Sequence, residues 1–240
     1  MYKLWVNLWK KPFSFLVFIL AIALSLTSLS VQANDIKQLQ QRAEQGDVEA
    51  QFNLGVMYRF GERAKQDYAQ AVQWYRQAAE QGLAESQFNL GTMYANGQGV
   101  KQDYFQAVKW YRQAAEQGLA EAQLNLGGMY AKGQGVKQDY FQAVQWYRQV
   151  AEQGLVQAQF NLGLMYDNGL GVKQDYFQAV QWYRQAAEQG HADAQNNLGF
   201  MYANGQGVRQ NLSQAKEWFG KACDNGSQLG CDNYRKSNNQ

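Results

Sequence analysis

The sequence predicts an all-α protein, a solenoid of five two-helix repeats with a half unit at each end. Three observations point to this fold. A 36-residue period, marked without slippage by Gly46, Gly82, Gly118, Gly154, Gly190 and Gly226, runs along the chain. Periods of about 20–50 residues denote stacked units that bury their apolar faces only against their neighbours. Each period holds two blocks whose apolar residues fall at helical spacing. Turn residues and helix caps recur between the blocks, and the single proline, Pro12, precedes them all.

The first block, helix A, reads AQFNLGVMY at 50–58, SQFNLGTMY at 86–94, AQLNLGGMY at 122–130, AQFNLGLMY at 158–166 and AQNNLGFMY at 194–202. At roughly 100° per residue, Ala50, Leu54, Met57 and Tyr58 share one side of a helix over 48–60, extended by Gln51 and Gly55. Glu49, Phe52, Asn53, Val56 and Phe60 lie opposite. The first set barely changes between copies and the second mostly does, so the first is assigned to packing. Gly55, with Gly91, Gly127, Gly163 and Gly199, would let a partner helix approach closely.

The second block, helix B over 68–81, carries one apolar stripe of Ala71, Val72, Trp74, Tyr75, Ala78 and Ala79 against a polar face. Trp-Tyr pairs such as Trp110-Tyr111 fall on this stripe, which makes them core rather than a carbohydrate platform. Asp67/Gln70, Asp103/Gln106, Asp139/Gln142 and Asp175/Gln178 match an N-cap with a reciprocal partner three residues on. Gly118 and its equivalents supply a left-handed stop, and Asn96–Gln102 is a turn-forming link between the two helices. The hairpins occupy 48–82, 84–118, 120–154, 156–190 and 192–226, with half units at 35–45 and 228–235, twelve helices altogether. The half units read as caps: Gln38 replaces the Trp, Arg42 replaces an Ala, and the chain ends in a polar tail from Lys236.

Residues 1–33 read as a secretory signal peptide within the chain 1–240, ahead of the repeat domain 34–240. Lys3, Lys10 and Lys11 form a basic start, Phe13–Leu29 is almost wholly apolar, and Val31 and Ala33 are small residues placed for cleavage. An uncleaved anchor is the alternative, since the apolar run is just long enough to span a bilayer. The chain carries 22 basic and 20 acidic residues; without the three leader lysines the balance is 19 to 20, a net charge of −1. That gives no electrostatic footprint for nucleic acid, and no membrane insertion is expected after cleavage. Export to the periplasm or beyond would let the two cysteines, Cys223 and Cys231, form a disulfide. Cys223 stands where earlier repeats have Ala79, Ala115, Ala151 and Ala187, and Cys231 where they have Gln51, Gln87, Gln123, Gln159 and Gln195, so the bond would staple the terminal helix to the last helix B.

The A-x-x-N-L-G-x-M-Y of helix A, the G-x-G-V-x-x-D of the loop and the A-x-x-W-Y-x-x-A-A-x-x-G of helix B resemble the Sel-one-like repeat family, a branch of the tetratricopeptide superfamily, over 34–240. The resemblance implies a right-handed α/α superhelix with A helices lining the concave face. It also implies an adaptor, taken here as a monomer without cofactor, that holds a protein or peptide partner. The first repeat departs from the pattern: Phe60-Gly61-Glu62-Arg63-Ala64 replaces Asn-Gly-Gln-Gly-Val, leaving that loop's shape open.

The candidate groove residues lie on the variable side of helix A. The ladder Asn53, Asn89, Asn125, Asn161 and Asn197 could donate to and accept from a bound backbone, as Asn does at the matching place in tetratricopeptide domains, or could fix the stacking of repeats. Phe52, Phe88, Leu124, Phe160 and Asn196 form one row, read either as partner anchors or as packing between A helices. Val56, Thr92, Gly128, Leu164 and Phe200 form a second row, whose range from Gly to Phe fits a binding surface better than a core.

Catalytic chemistry is sparse. His191 is the only histidine, and no His and Cys cluster could bind a metal. Ser213-Gln214-Ala215-Lys216 is an S-x-x-K, the nucleophile motif of penicillin-binding proteins, but no S-D-N or K-T-G accompanies it. The cysteine spacing resembles a cysteine-rich branch of the family, which implies penicillin binding or weak β-lactamase-like activity as the alternative to an exported binding scaffold.

Overall fold

Twelve helices and no strand make up the described part of the computed structural model, residues 35–238. The leader and its cleavage site lie outside the described residues. The chain divides into two units, one up to Gln81 and one from Gly82 onward. The first holds α1 (35–44), α2 (Val48–Phe60) and α3 (Tyr68–Glu80). The second holds α4 (Ala84–Asn96), α5 (Tyr104–Glu116), α6 (Ala120–Lys132), α7 (Tyr140–Ala151), α8 (Val156–Asn168), α9 (Tyr176–Glu188), α10 (Ala192–Asn204), α11 (Leu212–Asp224) and α12 (Gln228–Ser237). Consecutive pairs form the expected hairpins of an all-α solenoid.

The helix A glycine sets the distance between the helices of each hairpin. A Cβ added at Gly55, Gly91, Gly127, Gly163 or Gly199 would lie 2.5–2.8 Å from the ring of Tyr75, Tyr111, Tyr147, Tyr183 or Phe219 in the paired helix B. These rings are buried, and only a missing side chain leaves room for them. Helix B also packs on the next helix A: Val144, Tyr147 and Val150 of α7 share a core with Ala158, Leu162 and Met165 of α8. The same arrangement joins α5 to α6 and α9 to α10. In the first unit, Ala43 of α1 joins Ala50, Leu54 and Met57 of α2.

The loops close back on helix A. Asp67, Asp103, Asp139, Asp175 and Asn211 cap helix B by accepting from the backbone N–H three residues on. The reciprocal glutamine bond expected from the sequence is not made. The cap's own N–H donates instead to the last turn of helix A, Asp103 to the Tyr94 carbonyl at 3.0 Å and Asp139 to that of Tyr130 at 2.9 Å. A carbonyl left open at the end of helix A thus takes the donor that a capping box would have used. Gln102 and Gln138 donate to the next open carbonyls, of Ala95 and Ala131. The aberrant first loop keeps the same course, because Arg63 adopts φ 62°, close to the 69° of its counterpart Gly99.

A buried glutamine ladder, whose role the sequence did not disclose, links hairpin to hairpin. Gln123, Gln159 and Gln195 of helix A donate to the carbonyls of Ala115, Ala151 and Ala187 in the preceding helix B, at 3.0, 3.2 and 2.9 Å. Within the first unit Gln51 does the same to Ala43. In four hairpins the acceptor end of the amide is met from its own hairpin, Gln51 by Gln81, Gln87 by Gln117, Gln159 by Gln189 and Gln195 by Asn225. In the third hairpin that acceptor is unfilled, and there α7 ends one residue early. At the C-terminal end the donor and acceptor residues become Cys231 and Cys223, joined as a disulfide with Cα atoms 4.4 Å apart. Arg235 takes the place of the ring-seating glycine in α12.

Two adjacent glycines test this account. Gly127→Ala should destabilise by about 1–3 kcal/mol through overpacking on Tyr147. The nearest atom to a Cβ at Gly128 is the Tyr147 hydroxyl at 3.7 Å, so Gly128→Ala should be neutral or stabilise by up to about 1 kcal/mol through helix propensity. Urea unfolding of the two variants measures both. Replacing both cysteines by alanine should cost about 2.5 kcal/mol, read as faster hydrogen exchange in α12. Cys223→Ala with Cys231→Gln should recover about 1 kcal/mol of that by restoring the array's hydrogen bond.

Candidate functional site

The variable side of helix A opens into a cleft in the second unit. It measures about 550 Å³ and is lined by Leu124, Asn125, Gly128 and Lys132 of α6, Gln157 and Asn161 of α8, and Tyr104, Tyr111 and Tyr147 of the helix B layer. The absence of a side chain at Gly128 leaves this space open: the same row carries half-buried Thr92 and Leu164 on either side and exposed Phe200 further on. Tyr111 donates to the Thr92 hydroxyl at 3.2 Å, and Leu164 packs beside Phe160 on the core of the next hairpin. In the first unit a separate cleft of about 340 Å³ is lined by Ile36, Leu39, Asn53, Val56, Glu62 and Arg63.

The asparagine ladder is divided between exposure and packing. Asn53 is exposed, and Asn89, Asn125, Asn161 and Asn197 are half-buried. Burial pushes the Tyr147 phenol up to about 12, and a hydrogen bond with Asn161 offsets part of that rise. Burial and the Asp167 carboxylate likewise raise Tyr183, and Asn197 counteracts them. These two amides therefore contact the tyrosine of the preceding helix B, and Asn161 also lines the cleft. Asn161 also accepts from Gln157 at 3.1 Å.

The phenylalanine row leans inward. Phe52, Phe88 and Phe160 are half-buried, with ring centroids 6.0, 5.8 and 6.1 Å from those of Tyr75, Tyr111 and Tyr183. Asn196, in the same row, is buried and accepts from Asn233 of α12 at 2.9 Å. Phe200 meets Phe219 edge-on at 5.3 Å.

Lys132, Gln157 and Tyr104 were not singled out in the sequence, and Tyr111 and Tyr147 belong to the Trp-Tyr pairs read there as core; both are buried and also line the cleft. Gln157 comes into play through His191, which bridges two A helices. Its ring stacks on Phe160 at 4.4 Å, its Nδ1 accepts from the Ala194 N–H at 3.3 Å, and its Nε2 lies 3.4 Å from Gln157 Oε1. Asp167, which accepts from the Tyr183 hydroxyl at 3.1 Å, has its carboxyl raised by burial, with that hydrogen bond acting against the rise.

The S-x-x-K pair lies at the start of α11 and lines neither of the two clefts above. Ser213 is exposed in the first turn of α11, and the Lys216 ammonium sits 5.9 Å from the Tyr234 ring centroid. No group of three or more potential metal ligands occurs among the described residues, and none of their helices is long and apolar enough to cross a membrane.

The fold defines an all-α protein built of consecutive two-helix repeats. The Sel1 repeat signature matches residues 48–83, 84–119, 120–155, 156–191 and 192–227, and the chain belongs to the Sel1 repeat family. Members of this family are commonly protein–protein interaction scaffolds and are generally non-enzymatic. Among solved structures, a protective antigen of uropathogenic Escherichia coli strains with an SLR fold is 44% identical, with a TM-score of 0.78. The match covers 80% of this chain but only 41% of the antigen. A Sel1 repeat protein from Oxalobacter formigenes is 37% identical with a TM-score of 0.74, covering 84% of this chain and 85% of that one. No curated protein matches. The disulfide fits an extracellular or periplasmic protein.

His191 yields a pH prediction. Burial, acting against the Asp193 charge, lowers its pKa from the ordinary 6.5. The unfolded chain therefore takes up a proton that the folded chain resists. The stability this residue contributes is fully present above the ordinary histidine value. It declines as pH falls below that value, until the folded imidazole itself protonates and Nδ1 can no longer accept. Urea unfolding between neutral pH and about pH 5 should show this loss in the wild type. His191→Asn, which keeps a capping side chain without titrating, should remove that component.

Proposed function

We propose that this protein is an exported scaffold that holds a protein or peptide partner against the variable side of helix A, with the cleft at Gly128 as its main anchor site. The observation behind this reading is the cleft itself: apolar Leu124 and Gly128 lie beside the amides of Asn125, Asn161 and Gln157. Such a surface offers a side-chain pocket next to groups that can donate to and accept from a peptide backbone. The asparagines and the rows of Phe52, Phe88 and Phe160 and of Thr92, Leu164 and Phe200 extend this surface within each unit. The basic, apolar leader and the disulfide support export.

Gly128→Phe tests the reading. The row already carries phenylalanine at Phe200, so the melting temperature should change little. Filling the cleft should lower capture of a partner from envelope extracts about tenfold or more, as loss of a central anchor does. Unchanged capture by a folded Gly128→Phe, Asn125→Ala variant would sink the groove reading.

A further inference from the structure

The second unit carries another exposed surface, formed by its B helices. Phe105, Phe141 and Phe177 stand at one-repeat spacing in the first turns of α5, α7 and α9, and are 68%, 57% and 58% exposed. The hairpin does not need them: Ala69 and Ser213 fill the same position in the first and last hairpins. Two of these rings border slots formed with the loop of the following hairpin. One slot, of about 400 Å³, combines Phe105, Val108 and Val136 with Lys109, Arg112 and Glu116. The other, of about 690 Å³ and two repeats on, combines Phe177 and Val208 with Arg184 and Arg209 and contains no acidic residue.

The arginines of these slots form no salt bridge among the described residues, although Glu116 shares the first slot with Arg112. Arg112, Arg148 and Arg184 donate to the hydroxyls of Tyr130, Tyr166 and Tyr202 at 2.6, 2.7 and 2.7 Å. Ion pairs among the described residues involve Arg42, Lys221 and Arg235 instead. The phenols of Tyr130 and Tyr202 fix Arg112 and Arg184 in the slots of Phe105 and Phe177, Arg148 holds the same position in the repeat between them, and each guanidinium keeps N–H donors for another acceptor. A held, unpaired guanidinium next to an aromatic slot is complementary to a carboxylate beside an apolar side chain. The concave slots take side chains, which suits a peptide better than a flat lipid surface.

We propose that the row of Phe105, Phe141 and Phe177 is a second docking surface, for an acidic peptide segment that places apolar side chains in the slots and carboxylates on Arg112, Arg148 and Arg184. This surface is separate from the helix A cleft, so the Gly128→Phe variant serves as a control that should leave it intact.

Selection of a random-peptide phage library on the protein tests this, with counter-selection on Phe105→Ala, Phe141→Ala, Phe177→Ala. Alanine already occupies the position at Ala69, so the triple variant should keep the wild-type circular dichroism and melting temperature. The expected result is a set of peptides pairing Asp or Glu with large apolar residues. They should bind the triple variant, and an Arg112→Gln, Arg184→Gln variant, about tenfold or more weakly, and bind Gly128→Phe normally. The proposal is overturned if no peptide depends on the phenylalanine row, if the enriched peptides lack acidic residues, or if the protein binds phosphatidylglycerol vesicles through this row while enriching no peptide.

Discussion

The contact on which the rest of this structure depends is that between a glycine in helix A and an aromatic ring in helix B. A buried tyrosine is a large, flat object, and in four hairpins it lies directly on the helix A backbone; in the fifth Phe219 takes its place. Any side chain at the glycine would push the helices apart by more than a close-packed core tolerates. The short separation that results sets the span each loop must cross. It brings the cap residue's N–H within reach of the carbonyls at the end of helix A. Helix spacing, loop closure and helix capping are thus consequences of one steric condition repeated five times.

A second condition determines how one hairpin meets the next. Apolar contacts alone would leave the stack free to slide, because hydrophobic burial is non-directional. The buried glutamine supplies direction: its amide donates to a carbonyl of the preceding helix B and accepts from the end of its own hairpin. A glutamine left unpaired on a packing face would incur the cost of desolvating its amide, so registers that miss both partners are disfavoured. Between α11 and α12 the same pair of positions is covalent, Cys223 joined to Cys231, so a bond replaces the amide contact that sets the register in the preceding repeats.

The framework was largely legible in the sequence because it consists of local patterns copied several times. The period, the two helices, the glycine approach and the staple between Cys223 and Cys231 could all be read by aligning copies. What could not be read depends on partners distant in the chain. The role of Gln51 and its counterparts rests on a carbonyl in the preceding helix. The capping glutamines at 70, 106, 142 and 178 fit a local motif, but a backbone carbonyl 9 residues upstream, as in the Asp103 to Tyr94 bond, was the partner chosen. The candidate site was legible only as a side of a helix. That Asn161 and Asn197 also bond tyrosines, and that Phe105 is exposed while Phe88 leans on Tyr111, follows from where neighbouring helices and loops end.

The position after each glycine shows why such an array can change its surface while keeping its fold. Gly127 and Gly128 are adjacent, yet a Cβ on the first would collide with the Tyr147 ring, while one on the second would meet only its hydroxyl at an ordinary distance. A rotation of roughly 100° about the helix axis separates a site where only glycine fits from one where almost any residue does. Val56, Thr92, Gly128, Leu164 and Phe200 occupy the permissive site; Val56 lines the cleft of the first unit and Gly128 that of the second. The glutamine and the ring-seating glycine lie on the other side of helix A, so substitutions in this row leave those two contacts in place. The two sides still touch where Tyr111 donates to Thr92, where Tyr183 donates to Asp167, where Leu164 packs on the core between α9 and α10 and where Phe200 meets Phe219, and there a change on the surface would be felt in the framework.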